Sequence, residues 1–326
     1  MNMKTIGLTM AALALAGCCT CKMPDRCADP VIGNWSAALP YDGMNAGSLI
    51  FERGENGEPK AFVLWRWGSP EWCKDVKICK KGFSLWHPYG QRIRGQVVGD
   101  KLYCFIAPCN KQGEVTGQWL PFEATRNPCV CPCAKTSDAK LGAPIDLLKD
   151  GLAGWELMNP KAKNGWSFKD GVLSNKLGLR PDGHWSGGGS NLKTKRSDFY
   201  DFNLEYDVRV PKNSNSGVYL RGRFECQVVD SYGAKADRHN MAAYYGRETP
   251  TASAEKKPGE WQHVSVTLYK RHLTVVLNGV KIHDNVPVTG VTGGAIDANL
   301  FATGPIYLQG DHSDADFKNM ILRPVF

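Results

Sequence analysis

The sequence predicts an all-β protein, and three observations carry that expectation. Apolar residues recur at every second position in short runs: in 201–211, Phe202, Leu204, Tyr206, Val208 and Val210 share one side. Turn formers are dense, with 35 Gly and 19 Pro. No stretch sustains a helical period. A chain of 326 residues accommodates two domains of ordinary size. The expected architecture is a C-terminal β-sandwich preceded by a small disulfide-containing β domain. With 42 % hydrophobic and 22 % charged residues the composition is that of a globular chain, not a disordered one.

The first residues read as an address. Lys4 gives a positive start, residues 6–17 are apolar but too short to span a bilayer, and the run ends in Leu15-Ala16-Gly17-Cys18. Small residues before a cysteine resemble the bacterial lipobox, which implies removal of residues 1–17 and lipidation of Cys18. The alternative is an ordinary secretion signal cut near Ala16. The expected location is the bacterial cell envelope, anchored by lipid on the periplasmic side or at the outer membrane, with residues 18–30 as a tether. No later segment reaches 18 apolar residues.

Residues 31–127 read as one Trp- and Cys-rich β domain, with strand-like runs at 48–52, 61–67 and 101–107. Trp65 and Trp67 fall on the same side of one run. They read as core, and as a sugar-stacking platform if exposed. Ten of the twelve cysteines lie before residue 134 once Cys18 is set aside. Export favours disulfides, and Cys73/Cys79 and Cys104/Cys109 are near enough in sequence to close small loops. Residues 128–143 form a linker whose Cys129-Val130-Cys131-Pro132-Cys133 reads as oxidised, with metal binding as the lesser alternative.

From 144 to 326 the pattern is β throughout. Strand-like runs at 261–268 and 272–277 are followed by Asn278-Gly279, a strong hairpin signal. One run, Ser216 to Asp230, carries the chemistry. Read as a single strand, it places Leu220, Gly222, Phe224, Cys226 and Val228 on a core face. Tyr219, Arg221, Arg223, Glu225 and Gln227 fall on the other, and Asp230, Ser231 and Tyr232 follow the strand end. A solvated face favours shorter polar residues. This row reads as a cleft floor in which arginine lowers the pKa of Glu225. Cys226 reads as a buried inert thiol. A second cluster, Gln309 with Asp311 and His312, adds a group able to carry a proton near neutral pH. The net charge of +8 is spread out, and the one basic cluster, 193–196, has no interleaved aromatics, which argues against nucleic acid as a partner.

These motifs carry a resemblance. Asn215 to Gly233, Pro258-Gly259-Glu260-Trp261-Gln262, Leu277-Asn278-Gly279-Val280 and Gly304 to His312 resemble, in order, the signatures of the 3-keto-disaccharide hydrolase family over residues 144–326. The segment Asn240 to Gly246 and Cys226 depart mildly from the family pattern, and residues 31–127 lie outside it. The resemblance implies a concanavalin-like jelly-roll fold and action on sugars oxidised at carbon 3. A C3 ketone acidifies the C2 proton. Its removal gives an enolate, the C1 substituent leaves, and water adds back. Such chemistry needs a base, an enolate stabiliser and an acid. Glu225 is the expected base, Arg221 and Arg223 the enolate stabilisers, and Asp311 with His312 the acid side. Tyr219, Gln227, Asp230, Tyr232 and Gln309 are expected to bind substrate, an oligosaccharide or 3-keto-glycoside. Alternatives are a non-catalytic glycan-binding lipoprotein, a lyase or hydratase performing half the sequence, and two-carboxylate hydrolysis with Asp230. No cofactor is expected, and a divalent metal is left open.

Overall fold

The computed structural model describes residues 29–80 and 82–326, so the signal segment, Cys18 and nearly all of the tether lie outside the described residues. Among those described there is no α-helix.

The N-terminal strands are β1 (Gly33–Ala38), β2 (Ala46–Arg53), β3 (Pro59–Trp65), β4 (Glu71–Trp72), β5 (Lys74–Cys79), β6 (Gly82–His87), β7 (Gln91–Val98), β8 (Lys101–Pro108) and β9 (Leu120–Arg126). They form one antiparallel sheet, β4-β3-β2-β1-β9-β8-β7-β6-β5, in which chain neighbours pair except β4 and β5, the two ends of the order, and β9 returns beside β1. Period-two alternation puts Trp35, Leu49, Phe51, Val63, Leu85, Ile93, Leu102, Ile106 and Phe122 on one buried face.

The cysteine expectation is corrected here. Cys73, Cys79, Cys104 and Cys109 are all free. Each proposed pair is separated by strand, as in β5, and extended chain advances about 3.3 Å per residue, which carries such partners well beyond the ~5.5–6 Å Cα separation a disulfide needs. The one disulfide among the described residues, Cys131–Cys133, is in the linker, where a turn brings the Cα atoms to 5.4 Å. Cys129 is free and exposed, and no group of three His, Cys, Asp or Glu suited to a metal ion occurs among the described residues.

The C-terminal strands are β10 (Ile145–Asp146), β11 (Trp155–Leu157), β12 (Trp166–Lys169), β13 (Val172–Asn175), β14 (Leu192–Thr194), β15 (Phe202–Arg209), β16 (Asn215–Leu220), β17 (Phe224–Val229), β18 (Gln262–Tyr269), β19 (His272–Leu277), β20 (Val280–Pro287), β21 (Tyr307–Leu308) and β22 (Ala315–Pro324). Two sheets result: β12-β13-β22-β15-β18-β19-β20, with β10 also on β22, and β11-β14-β21-β16-β17. They share one core, in which Phe202, Leu204, Tyr206 and Val208 of β15 join Val218, Leu220, Phe224, Cys226 and Val228 of β16 and β17. This is a jelly-roll β-sandwich. Asn278 and Gly279, with φ of 49° and 86°, make the left-handed turn of the β19–β20 hairpin.

Residues 128–143 lie against the sandwich: the Arg271 guanidinium donates to the carbonyls of Pro128 and Cys129 at 2.8 and 2.7 Å. The N-terminal sheet docks there too. Ala46 and Leu64 join the sandwich core, Arg247 donates to Ser48 at 2.6 Å, and Arg238 pairs with Glu71 at 2.9 Å.

Candidate active site

The run 216–230 is a hairpin rather than one strand. Arg221 and Gly222 take φ of 54° and 67°, so the chain turns back over 221–223, and pairing resumes at Leu220 opposite Phe224. Register then sets the site. Tyr219 faces Glu225, Gly217 faces Gln227, and on the next strand Tyr307 faces Tyr219. All sit on the face opposite the core. Gly217 is required: a Cβ there would lie 2.4 Å from Glu225 Oε1, so the glutamate side chain occupies the space glycine leaves.

These residues floor a cleft of about 360 Å³, lined also by Asn191, Asn215, Gln309, Asp311 and His312 and by Tyr245, Gly293 and Gly294. That volume suits a small ligand. The Tyr219 and Tyr307 rings stack, with centroids 4.1 Å apart and planes at 11°. The stack holds Tyr219 Oη 2.8 Å from Glu225 Oε2 and 2.7 Å from the Gly293 carbonyl. A hydroxyl has one proton and a carbonyl only accepts. The proton goes to the carboxylate when Glu225 is ionised and to the Gly293 carbonyl when Glu225 is the neutral acid and itself donates to Tyr219.

The electrostatics agree. Burial pushes the Glu225 carboxyl up to about 8, with the Asp311 charge adding to the rise and the Tyr219 hydrogen bond opposing it. The expectation of a lowered value fails because no guanidinium faces Glu225. Arg223 forks onto Asp297 and donates to the carbonyls of Arg221 and Thr303, at 2.8 and 3.1 Å. Arg221 is buried, gives a hydrogen bond to the Leu300 carbonyl at 2.8 Å, and lies over the Tyr200 and Phe224 rings. Neither arginine borders the cleft. Asp230 accepts from the Asn213 N–H at 2.9 Å and Tyr232 is exposed, and they too lie outside it.

At the other side, Asp311 accepts from His312 Nδ1, and this bond raises the imidazole pKa. Nε2 is then the nitrogen left for a ligand. Gln227 uses Oε1 to accept from the Val228 N–H, which leaves its NH2 for the cleft. Asn215 and Gln309 each keep a side-chain oxygen without a partner, acceptors suited to hydroxyl groups. Cys226 is buried on the core side and its thiol is pushed up to about 12 by burial, which makes it inert.

Of the expected site residues, the cleft brings together Tyr219, Glu225, Gln227, Gln309, Asp311 and His312. Sequence reasoning missed Asn191, Asn215, Tyr245, Gly293, Gly294, Tyr307 and Gly68; it read Trp67 as core on the side of Trp65, which is corrected, because Arg66 at φ 53° turns the chain and leaves Trp67 exposed at the cleft. Asn215 and Tyr307 were within signal, since both fall inside the motifs that carry the resemblance. Gly293 and Gly294 had none beyond being paired glycines.

Solved structures of similar fold include two from Parabacteroides distasonis, each named a "putative glycosyl hydrolase". One is 23 % identical, covers 67 % of this chain and 98 % of that one, and has a TM-score of 0.44. The other is 20 % identical, covers 56 % and 93 %, and scores 0.45. A carbohydrate-binding module from Bacillus subtilis is 15 % identical over 52 % and 95 %, with a TM-score of 0.35. No protein of curated function matches the chain. The model of the 3-keto-alpha-glucoside-1,2-lyase-like domain matches residues 145–323, more than half of the chain and every strand that builds the cleft floor. The chain belongs to this family of carbohydrate-active domains.

Proposed function

We propose that the cleft cleaves 3-keto-glycosides by elimination. The observation that carries this reading is Glu225, a buried carboxyl at the cleft floor with a pKa near 8, facing an aspartate–histidine pair. Ionised Glu225 takes the C2 proton and becomes the neutral acid its surroundings favour. The C3 oxygen gains the electron pair as an enolate, and the Gln227 amide is the donor placed to receive it. The enolate then re-forms the C3 ketone as the C1–O bond breaks, and protonated His312 supplies the proton the leaving oxygen needs. The product is a C1=C2 unsaturated ketone bearing the C2 hydroxyl, plus the free aglycone. Addition of water to that double bond would complete net hydrolysis. The donor role passes from Arg221 and Arg223 to Gln227 because neither arginine lines the cleft, and Arg223 is held on Asp297 and Thr303.

The test is product analysis by NMR with methyl 3-keto-α-glucoside and its β anomer. The reading expects methanol with the unsaturated ketone or its hydrate. Recovery of intact substrate would defeat it and favour a glycan-binding role.

A further inference from the structure

We propose that the N-terminal sheet completes the carbohydrate site, and that Trp67 is a stacking platform for the sugar ring held over Glu225. Trp67 lines the same cleft as Glu225, Asp311 and His312, yet belongs to a different domain. β3 ends at Trp65, and Arg66 takes a left-handed φ of 53°, which swings the next residue off the strand. Trp65 therefore packs inward against Tyr41, with centroids 5.0 Å apart, while Trp67 keeps 47 % of its surface exposed. Trp72 is equally open at 48 %, so what sets Trp67 apart is not exposure but its place in the lining of the cleft beside Glu225.

The loop is built to hold the ring in place. The Arg66 guanidinium lies 4.9 Å from the Trp67 ring and donates to the carbonyls of Met44 and Asp42, both at 2.6 Å. The Arg66 carbonyl accepts from the Gly294 N–H at 3.0 Å. At Gly293 a Cβ would fall 2.2 Å from the Gly68 carbonyl, so the two domains meet backbone to backbone beside the carbonyl that holds Tyr219. Ser69 bonds His239 one residue further along. A rigid aromatic face across a cleft whose floor offers carboxyl, amide and hydroxyl groups matches a pyranose, with its apolar C–H face and its rim of hydroxyls.

The inference rests on the reading of the cleft as a carbohydrate site. Its test compares wild type, Trp67→Ala and Trp67→Phe. Kinetics with methyl 3-keto-glucosides are paired with calorimetric titration of the same sugars and their unoxidised parents. The platform predicts that Trp67→Ala raises KM or Kd about tenfold, leaves kcat within about twofold and leaves the Tm unchanged, while Trp67→Phe restores most of the affinity. Unchanged KM and Kd in Trp67→Ala overturn the platform and leave the elimination reading standing. If wild type turns over no 3-keto-glucoside, the elimination reading falls. The titration then decides for the platform alone: affinity lost with Trp67→Ala supports it, and affinity equal to wild type, or no binding by either, overturns it.

Discussion

At the scale of one residue, the account turns on the proton of Glu225. With a pKa pushed to about 8, the base form is scarce at neutral pH. Because Glu225 must be ionised while His312 stays protonated, kcat/KM should follow a bell with one limb near 8, and Glu225→Gln should abolish that limb and lower turnover by about 10² or more. The same shift predicts a stability trend. An ordinary carboxyl titrates at 4.5, so the unfolded chain loses its proton long before the folded one. The contribution is intact below that value and is lost as pH rises toward about 8, at about 1.4 kcal/mol per pH unit. Wild-type Tm should fall more steeply than that of Glu225→Gln across this window, and parallel Tm curves would contradict the buried-acid assignment. Glu225, Tyr219 and Gln227 were legible in the sequence because period two fixes their common face. The direction of the Glu225 shift was not, because it depends on where Arg221 and Arg223 point.

At the scale of the element, the β16–β17 hairpin explains that failure. Alternation reads through a three-residue turn as though the strand continued, since Leu220 and Phe224 keep the same parity on either side. Only the positive φ at Arg221 and Gly222 breaks the row, and a non-glycine in that conformation gives little warning from sequence. The hairpin makes two predictions. Gly217→Ala should leave the fold intact but push the Glu225 carboxyl aside, cutting kcat roughly 10²-fold, the order of loss a misplacement of about 1 Å can bring. An unchanged kcat would mean that the carboxyl position is not critical. Arg223→Lys loses the fork on Asp297 and should cost about 1–3 kcal/mol in a denaturant titration with kcat/KM held within several-fold. A selective loss of kcat at full stability would return Arg223 to the chemistry.

At the scale of the whole molecule, the all-β class and the sandwich were legible, because runs such as 202–208 bury every second residue as alternation requires. The joining of the two halves was not: Trp67 stood out as core, or as a sugar platform if exposed, but nothing in residues 66–68 ties it to a cleft floor some 150 residues away. The cysteines were misread for a related reason, since closeness in sequence along a strand is distance in space. Alkylation should now label Cys79 and Cys129, both exposed, and spare Cys104 and Cys226, both buried and pushed up to about 12, until the protein is denatured. Labelling of Cys226 in the native state would contradict the packing of the sandwich core. Anchoring through Cys18 is a proposal drawn from the lipobox-like segment, and detergent partitioning of Cys18→Ala should shift to the aqueous phase if it is right.

The central claim is that Glu225 removes the C2 proton of a 3-keto-glycoside, and turnover of a methyl 3-keto-glucoside carrying deuterium at C2 tests it most directly. The account predicts slower turnover of the deuterated sugar by wild type, an isotope effect that shrinks as the later C1–O step becomes limiting, and loss of turnover in folded Glu225→Gln. Equal rates for the two sugars at every pH, together with near wild-type turnover by Glu225→Gln, would contradict it.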